Sequence, residues 1–269
     1  MFTEGGWRVK EKEGLKYYCL RPAERAGGAA LIQGVFTRQG GVSQGPWKSL
    51  NVGHAVGDEL QAVEANHRRI CQALDIPREA ITTAQQVHGT RVAKVEASDR
   101  GGTFPGTDGL ITDVPGVALM LRFADCVPLL FFDPSHPAVG LAHAGWRGTL
   151  AGIASQMVKA MWAAFGSRPE ELIVGIGPAI GPCCYQVGRE LATQVREHFP
   201  QWPDLIHWRD GTPYFDLWLA NQRQLEAMGV RSIAVAQRCT ACHVEEFFSY
   251  RAEGGLTGRF AAVIGLRGM

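Results

Sequence analysis

The sequence predicts an α+β fold: a single domain with a mixed β-sheet core covered by helices. Short apolar runs rich in branched residues recur along the chain, and such runs are typical of buried strands. Several of them follow one another without a helical segment between them, which favours α+β over a regular doubly wound sheet. No internal repeat, linker or low-complexity segment interrupts the pattern. We therefore expect residues 1–269 to form one domain.

The composition excludes several classes of protein. The chain has 269 residues, of which 46% are hydrophobic, and a formal net charge of +1 without a basic stripe. This predicts a large core and no surface for nucleic acid. Seven irregularly spaced cysteines argue against a disulfide scaffold. No signal peptide or membrane-length apolar run is visible, so we expect a cytoplasmic protein with reduced thiols and no membrane partner, either a monomer or a weak homodimer.

In the N-terminal half, apolar and branched runs predict strands, and apolar residues three and four positions apart predict one amphipathic helix. The predicted strands are Leu15–Leu20, Leu31–Thr37, Ile81–Val87, Arg91–Val95 and Gly109–Thr112. The helix is Asp58–Leu74, with Asp58 as its N-cap and Pro77 beyond its end. His67 and Cys71 lie on its apolar stripe, which predicts packed core residues. A polar, glycine-rich loop is expected at Gly101–Thr107.

The central stretch carries three strands in close succession, Val117–Phe123, Val127–Phe132 and Ala138–Ala142. Ala124-Asp125-Cys126 breaks the first two strands apart, and Asp133-Pro134 makes the next turn. The segment His-Ala-Gly-Trp-Arg-Gly follows the third strand and leads into a predicted helix, Thr149–Phe165. Reactive side chains are commonly presented at such strand ends.

The C-terminal half follows the same logic. Leu172–Ile176, Ile233–Ala236 and Arg259–Leu266 predict strands, Val187–His198 and Phe215–Met228 predict helices, and Pro200–Pro213 predicts a loop. Asp216 lies near the start of the last helix, where an acidic cap is favourable. Two glycines and two prolines between residues 177 and 182 give the chain an unusual path just before Cys183-Cys184-Tyr185.

Three residues combine into a candidate site. His88, Cys126 and His143 each lie at a strand end beside a glycine or a chain break. Two imidazoles and a thiolate suit Zn²⁺, and three protein ligands leave a fourth position open, as in catalytic zinc sites. The same residues also suit a pair in which His143 activates Cys126 as a nucleophile. Their spacing in sequence leaves both alternatives open.

A second cysteine pattern, Cys239-Thr240-Ala241-Cys242-His243, matches the short C-x-x-C-H motif of haem attachment. Covalent haem needs an export route, for which no signal is visible. A zinc ribbon would need Cys183-Cys184 as its second pair, and adjacent cysteines are poor ligands for tetrahedral zinc. We therefore interpret these four cysteines as structural residues.

Six ordered segments resemble the laccase-domain family, whose members are called polyphenol oxidases, purine nucleoside phosphorylases or peptidoglycan editing factors. They are TRQGGVSQGPWKSLNVG, QQVHG, FADCVPLLFFDP, LAHAGWRGTLAGI, GIGPAIGPCCYQVG and SYRAEGGLTGRFAAVIGL. The resemblance runs from about Phe36 onwards and implies an α+β domain with a metal on His88, Cys126 and His143. The last segment departs from the family pattern at Ala252 and at the doubled glycine Gly254-Gly255.

The resemblance implies a purine nucleoside phosphorylase that also deaminates adenosine and cleaves methylthioadenosine, with nucleosides and phosphate as its small-molecule partners. The alternatives are a Cu²⁺-dependent polyphenol oxidase and a Cys/His hydrolase that edits a cell-wall precursor. Of eight histidines, only His88 and His143 lie in glycine-rich family motifs, which is too few for a multicopper cluster and favours one Zn²⁺.

In the zinc interpretation Cys126 and His143 are the catalytic core of the site. Arg38 and Arg147 are the candidates for binding phosphate, because guanidinium groups bind phosphate bidentately. Asp125 is the candidate for orienting a ligand histidine.

Overall fold

The structure, a computed structural model, describes residues 6–268. Within this range the strands are β1 (Trp7–Lys12), β2 (Leu15–Leu20), β3 (Leu31–Phe36), β4 (Ile81–Ala84), β5 (Val92–Lys94), β6 (Thr103–Phe104), β7 (Gly109–Thr112), β8 (Ala118–Phe123), β9 (Val127–Asp133), β10 (Ala138–Ala144), β11 (Ile173–Ile176), β12 (Ile206–Arg209), β13 (Thr212–Phe215), β14 (Ser232–Val235) and β15 (Phe260–Leu266). The α-helices are α1 (Arg21–Gly27), α2 (Leu60–Leu74), α3 (Trp146–Leu150), α4 (Ile153–Phe165), α5 (Arg189–His198) and α6 (Leu217–Ala227). None of the helices formed by these residues has the length and apolar character needed to cross a membrane.

The strands form two large mixed sheets and a small hairpin. The seven-stranded sheet has the order β1-β2-β3-β15-β8-β4-β6, and the six-stranded sheet has the order β14-β11-β9-β10-β7-β5. Strands β12 and β13 pair as a separate hairpin. Most pairs are antiparallel, but β4 runs parallel to β8 and β6, as β5 does to β7 and β11 to β14. This arrangement confirms the predicted α+β class.

The two sheets face each other, and helices cover their outer faces. Side chains alternate along the central strands, because successive residues of a strand point to opposite faces. On β15, Phe260, Ala262 and Ile264 belong to the core between the sheets, which also holds Leu130 and Phe132 of β9. The intervening residues of β15 pack with α2 on the outer face of the seven-stranded sheet. Helices α4, α5 and α6 cover the outer face of the six-stranded sheet.

Several predicted elements differ from the structure. The helix predicted at Thr149–Phe165 is two helices, α3 and α4, because Gly152 adopts a left-handed conformation with φ 85° and breaks the helix. The loop predicted at Pro200–Pro213 contains β12 and the start of β13, whose polar, partly exposed residues hide the strand pattern. Helix α2 begins at Leu60, with Glu59 rather than Asp58 at the N-cap position. Strand β1 and helix α1 have no counterpart in the prediction.

Candidate metal centre

The predicted site lies at one end of the sheet sandwich, where the chain passes between the two sheets. Strand β8 ends in one sheet and β9 begins in the other, and Cys126 lies in the connection between them. His88 lies in a second such connection, between β4 and β5. His143 is on β10, where it pairs with Pro128, two residues after Cys126. The topology therefore brings together three residues that are far apart in sequence.

The ligand atoms of His88, Cys126 and His143 all lie within 4.8 Å of one another. The two imidazole rings meet nearly edge to face, with centroids 4.8 Å apart. His88 is exposed and has a left-handed backbone, φ 62°, a conformation that is uncommon outside glycine. The spacing and the His₂Cys donor set fit one transition-metal ion.

Gly145 makes this close approach possible. A Cβ atom at this position would lie 2.8 Å from Cδ2 of His88 and 3.1 Å from Sγ of Cys126. The glycine of the His-Ala-Gly-Trp motif is therefore a packing requirement of the site, since a side chain there would fill the space between two of its residues.

Asp108 orients the site, and the sequence analysis did not find it. One carboxylate oxygen, Oδ1, accepts hydrogen bonds from Nδ1 of His143 and from the backbone N–H of His88, at 2.8 and 3.0 Å. The other, Oδ2, accepts from the N–H groups of Val87 and Gly89. The carboxylate thus fixes the His88 loop and leaves Nε2 of His143 as the nitrogen available to Cys126 or to a metal. The available signal was weak: an aspartate directly before the glycine that begins β7.

The Cys126 and His143 side chains influence each other's protonation. Burial alone would raise the pKa of Cys126, but the adjacent His143, together with His88, lowers it to about 6. Burial would lower the pKa of His143, but Cys126 and the hydrogen bond to Asp108 raise it to about 9. Between these values the favoured state without a metal is a thiolate on Cys126 beside an imidazolium on His143. The thiolate is a good nucleophile and a good metal ligand. Binding of a metal by Nε2 of His143 would displace the proton of that nitrogen.

Asp125, which the sequence suggested as the residue that orients a histidine, has a different role. Its Oδ1 accepts hydrogen bonds from the hydroxyl groups of Thr240 and Ser249, both at 2.7 Å. Its Oδ2 accepts from the backbone N–H of Arg251, also at 2.7 Å. Asp125 therefore fastens the C-terminal loops to the segment that carries Cys126.

The three residues open onto a cleft with a volume of about 790 Å³, within the range of small-molecule sites. Four arginines line it, namely Arg122, Arg147, Arg251 and Arg259. Arg122, Arg251 and Arg259 donate hydrogen bonds to backbone carbonyl oxygens. These acceptors are neutral, so the bonds do not neutralise the charge of the guanidinium groups. Arg147 is exposed and lies over the Trp146 ring at 4.4 Å. The cleft thus holds four guanidinium groups against one carboxylate, that of Asp125, although the whole chain is nearly neutral.

Sequence reasoning anticipated only Arg147 among these four arginines. Arg122 was detectable as a lone charge within the apolar run of β8. Arg259 was not, because it begins a predicted strand and its direction depends on the tertiary fold.

Arg38 does not line this cleft. Its guanidinium donates to the carbonyl oxygens of Lys48 and Val244 and forms an ion pair with Glu253 at 2.8 Å. It also lies over the Phe248 ring at 4.2 Å. These contacts use the side chain to join two loops, because a planar guanidinium can serve several acceptors at once.

The structure brings together the four cysteines that the sequence analysis interpreted as structural residues. Cys183, Cys184, Cys239 and Cys242 come together with all four sulfur atoms within 4.8 Å of one another.

His67, predicted to be a core residue, is buried, but it lies in a cluster with His54 and Glu64.

Comparisons with known proteins identify the family of this chain. Residues 32–267 match the family described as "Multi-copper polyphenol oxidoreductase laccase". A relative from Geobacillus stearothermophilus, named purine nucleoside phosphorylase YlmD, is 45% identical over 89% of this chain and 91% of its own length. A purine nucleoside phosphorylase from Deinococcus radiodurans is 38% identical over 91% and 93% of the two chains.

Solved structures of related proteins have the same fold over nearly the whole chain. The crystal structure of YlmD from Geobacillus stearothermophilus superposes with a TM-score of 0.89 at 41% identity, covering 98% of this chain and 100% of that one. The hypothetical protein YfiH from Bacillus licheniformis has a TM-score of 0.88 at 35% identity, covering 97% and 99%. Since the match extends over most of its length, this chain belongs to the multi-copper polyphenol oxidoreductase laccase family.

Proposed function

We propose that the chain is a zinc-dependent purine nucleoside phosphorylase that also deaminates adenosine and phosphorolyses methylthioadenosine. The observation that carries this proposal is the His88–Cys126–His143 cluster at the base of an arginine-lined cleft. The names of the relatives support the phosphorylase activity. Phosphorolysis needs an anion site beside a nucleoside site, and a single cleft with both cationic and aromatic walls meets this need.

The arginines of the cleft suit the phosphate nucleophile. Arg147 is exposed and carries its guanidinium on the Trp146 ring, so it is free to contact an entering anion. Arg122 and Arg259 are more buried, and burial lowers the pKa of each guanidinium from its ordinary value. A phosphate dianion would offset this desolvation by pairing with them.

The aromatic residues suit the purine. Tyr185 and Tyr250 line the cleft together with Trp146. Tyr250 is 56% exposed, so a face of its ring is open to a flat ring that stacks on it. The cleft therefore offers a base-stacking surface next to the cationic residues.

In this proposal His88, Cys126 and His143 hold the zinc ion, which supplies Lewis-acid chemistry when bound. Asp108 keeps the Nδ1 proton of His143 in place and so presents Nε2 towards the site. His143 is buried, so this hydrogen bond is shielded from water. Hydrogen bonds are electrostatically stronger in the protein interior than in water. The role of Asp108 is to hold His143 in its catalytic orientation before the substrate binds.

One observation favours a second function, a Cys/His hydrolase. Cys126, with its pKa lowered to about 6, lies beside His143, which in turn is held by Asp108. A nucleophile, a base and an orienting carboxylate in this order form a catalytic triad without a metal. This alternative assigns no necessary role to His88.

A copper-dependent oxidase is the third alternative, since the family description names multiple coppers. Within residues 6–268, the possible metal clusters that contain two histidines are the candidate site and the His54–Glu64–His67 cluster. In the latter, His54 pairs with Glu64, and His67 bonds to the Val52 carbonyl oxygen. The donors favour one zinc over several coppers at the candidate site. Elemental analysis that finds several coppers per chain, with oxidase activity proportional to copper, would restore the oxidase.

The test is nucleoside turnover with and without phosphate, using inosine, adenosine and methylthioadenosine, for the parent protein and His88→Ala. We expect His88→Ala to lose zinc and to reduce phosphorolysis by about 100-fold or more, because Lewis-acid assistance contributes several kcal/mol to the transition state. His198→Ala is the matched control, since His198 is an exposed histidine on α5. A zinc-free His88→Ala protein with near-parental turnover would instead support the Cys126–His143 hydrolase.

We further propose that the enzyme works in the cytoplasm as a monomer or weak homodimer on these small-molecule substrates. All seven cysteines are free, which suits a reducing compartment. Sedimentation of the purified protein, in the presence and absence of a reductant, tests the oligomeric state.

A further inference from the structure

We propose that Cys183, Cys184, Cys239 and Cys242 bind a second metal ion, a structural Zn²⁺, which clamps together two loops of the cleft wall. This site is separate from the His88–Cys126–His143 centre and does not depend on the reaction proposed above. We call it the cysteine clamp.

The four sulfur atoms lie close enough together to surround one metal ion. Sγ of Cys242 lies 3.5 Å from Sγ of Cys183 and 3.3 Å from Sγ of Cys184, and all four sulfurs lie within 4.8 Å of one another. Zinc–sulfur bonds of about 2.3 Å in a tetrahedron place the sulfur atoms about 3.8 Å apart. Small side-chain shifts are therefore enough to bring all four sulfurs to bonding distance from one central ion.

Local backbone structure explains how adjacent cysteines can share one metal. Cys183 and Cys184 lie in a tight turn, in which the carbonyl of Gly181 accepts hydrogen bonds from the N–H groups of Cys184 and Tyr185. In an extended chain adjacent side chains point to opposite sides, but in this turn both reach the same point. The objection to adjacent cysteines as zinc ligands therefore does not apply here.

The second pair has the usual spacing for a zinc site. Cys239 and Cys242 form a C-x-x-C sequence that spans a turn. The backbone N–H of Gly181 donates to Sγ of Cys239 at 3.2 Å, across from the other loop. Such an N–H bond stabilises a thiolate ligand.

The surrounding charges suit four thiolates around one Zn²⁺, which carry a net negative charge. Arg209 donates to the carbonyl oxygen of Cys183 at 3.1 Å, and Arg251 donates to the carbonyl oxygens of Cys184 and Gln186 at 3.5 and 2.8 Å. Both guanidinium groups therefore stand beside the cysteine clamp. Cations placed this way lower the electrostatic cost of a negatively charged centre.

The clamp would join the two loops that form one wall of the cleft. Backbone hydrogen bonds already link them, from Ala179 N–H to the Arg238 carbonyl and from Thr240 N–H to the Ala179 carbonyl. The loops carry Tyr185 and Arg251, both of which line the cleft. Losing the clamp metal should thus loosen the substrate-binding wall and leave the catalytic centre assembled.

Zinc content separates the two sites. We expect about two zinc ions per chain in the parent protein and about one each in His88→Ala and Cys242→Ser. Cys71→Ala is the control, because Cys71 is buried on α2, away from both clusters, and this variant should keep two. In nucleoside assays, Cys242→Ser should raise KM more than it lowers kcat, and it should lower the Tm.

A parental zinc content in Cys242→Ser would overturn the proposal, as would a parent protein whose zinc is all lost in His88→Ala. A disulfide between Cys242 and Cys183 or Cys184 in the freshly purified parent protein, found by mass spectrometry without reduction, would overturn it as well.

If Cys242→Ser does not fold, a second measurement decides. His88→Ala protein produced in cobalt-supplemented medium should show the strong thiolate-to-cobalt charge-transfer bands and tetrahedral d–d bands of a four-thiolate site, because among residues 6–268 the cysteine clamp is the one possible metal cluster with more than one cysteine. A spectrum without these bands would refute the clamp. The result is independent of the phosphorylase proposal, which depends on His88 and nucleoside turnover.

Discussion

At the scale of single residues, the candidate metal centre depends on two backbone positions as much as on its ligands. His88 is held in a left-handed conformation, which costs free energy, and the N–H groups around it are bound by Asp108. Gly145 leaves the space that His88 and Cys126 occupy together. Both features indicate a site that the surrounding structure assembles before any ligand binds.

Gly145→Ala should therefore disrupt the centre without removing a ligand. The new Cβ would contact His88 and Cys126 at distances that require them to move, so we expect zinc affinity and phosphorolysis to fall by about 10- to 100-fold. Gly188→Ala is the control, because a Cβ there meets nothing within 4 Å and its φ is −71°. Metal titration measures both, and unchanged affinity in Gly145→Ala would contradict the close packing described.

The sequence predicted the three metal ligands because each carries a rare functional group next to a glycine or a chain break. It could not predict Asp108, since an aspartate before a strand has many possible roles and its four hydrogen bonds come from distant segments. It also could not show that Arg38 faces Glu253 rather than the cleft. The spacing of residues along the sequence does not predict which side chains form contacts between distant segments of the fold.

At the scale of elements, the amphipathic helix α2 organises a loop through a single polar residue on its buried face. Asn66 is fully buried and accepts from the N–H of Val42. Its amide nitrogen lies within 3.1 Å of three acceptors, the Ser43 hydroxyl and the carbonyl oxygens of Ser49 and Asn51, which share its two N–H groups. One side chain thus contacts four polar groups of the segment between β3 and α2, which has little regular structure of its own.

Asn66→Ala should lower the free energy of unfolding by about 2 kcal/mol, because the Val42 N–H and the Asn51 carbonyl oxygen lose the hydrogen bonds that Asn66 makes to them. Arg68→Ala, at an exposed position on the same helix, should change stability by only a few tenths of a kcal/mol. Urea denaturation compares the two. Equal effects in both variants would mean that the loop is not held by Asn66.

Long apolar strands were predicted best, because burial on both faces gives a continuous signal. The hairpin β12–β13 was missed because three of the four residues of β12 are exposed. The break between α3 and α4 was missed because Gly152 lies within an otherwise helical pattern, where a glycine is tolerated in many helices. The convergence of the four cysteines was hidden by turns whose geometry the sequence does not specify.

At the scale of the whole molecule, buried titratable groups set the pH range of stability. Burial, helped by the nearby charges of Arg78 and His54, lowers the pKa of His67 from an ordinary 6.5 to about 4, while Glu64 acts in the opposite direction. His67 therefore stays neutral in the folded protein while it takes up a proton in the unfolded chain. Its contribution to stability is present above pH 6.5 and decreases as the pH falls towards 4.

We accordingly expect the parent protein to lose up to about 3 kcal/mol between pH 7 and pH 4 through this residue alone. His67→Leu should remove this part of the pH dependence, even if its stability at pH 7 is lower. Denaturation at several pH values gives the slopes, and parallel curves for the parent and His67→Leu would show that His67 titrates normally.

The position of β15 has a consequence for how the protein is made. This strand lies between β3 and β8 in the middle of the seven-stranded sheet, yet it follows both of them in the chain by more than a hundred residues. During synthesis on the ribosome, β3 and β8 cannot pair with β15 until residues 260–266 have been translated. The apolar edges of these two strands are exposed until then. Folding of this sheet is therefore completed after translation of that strand, and we expect the nascent chain to be prone to aggregation until then.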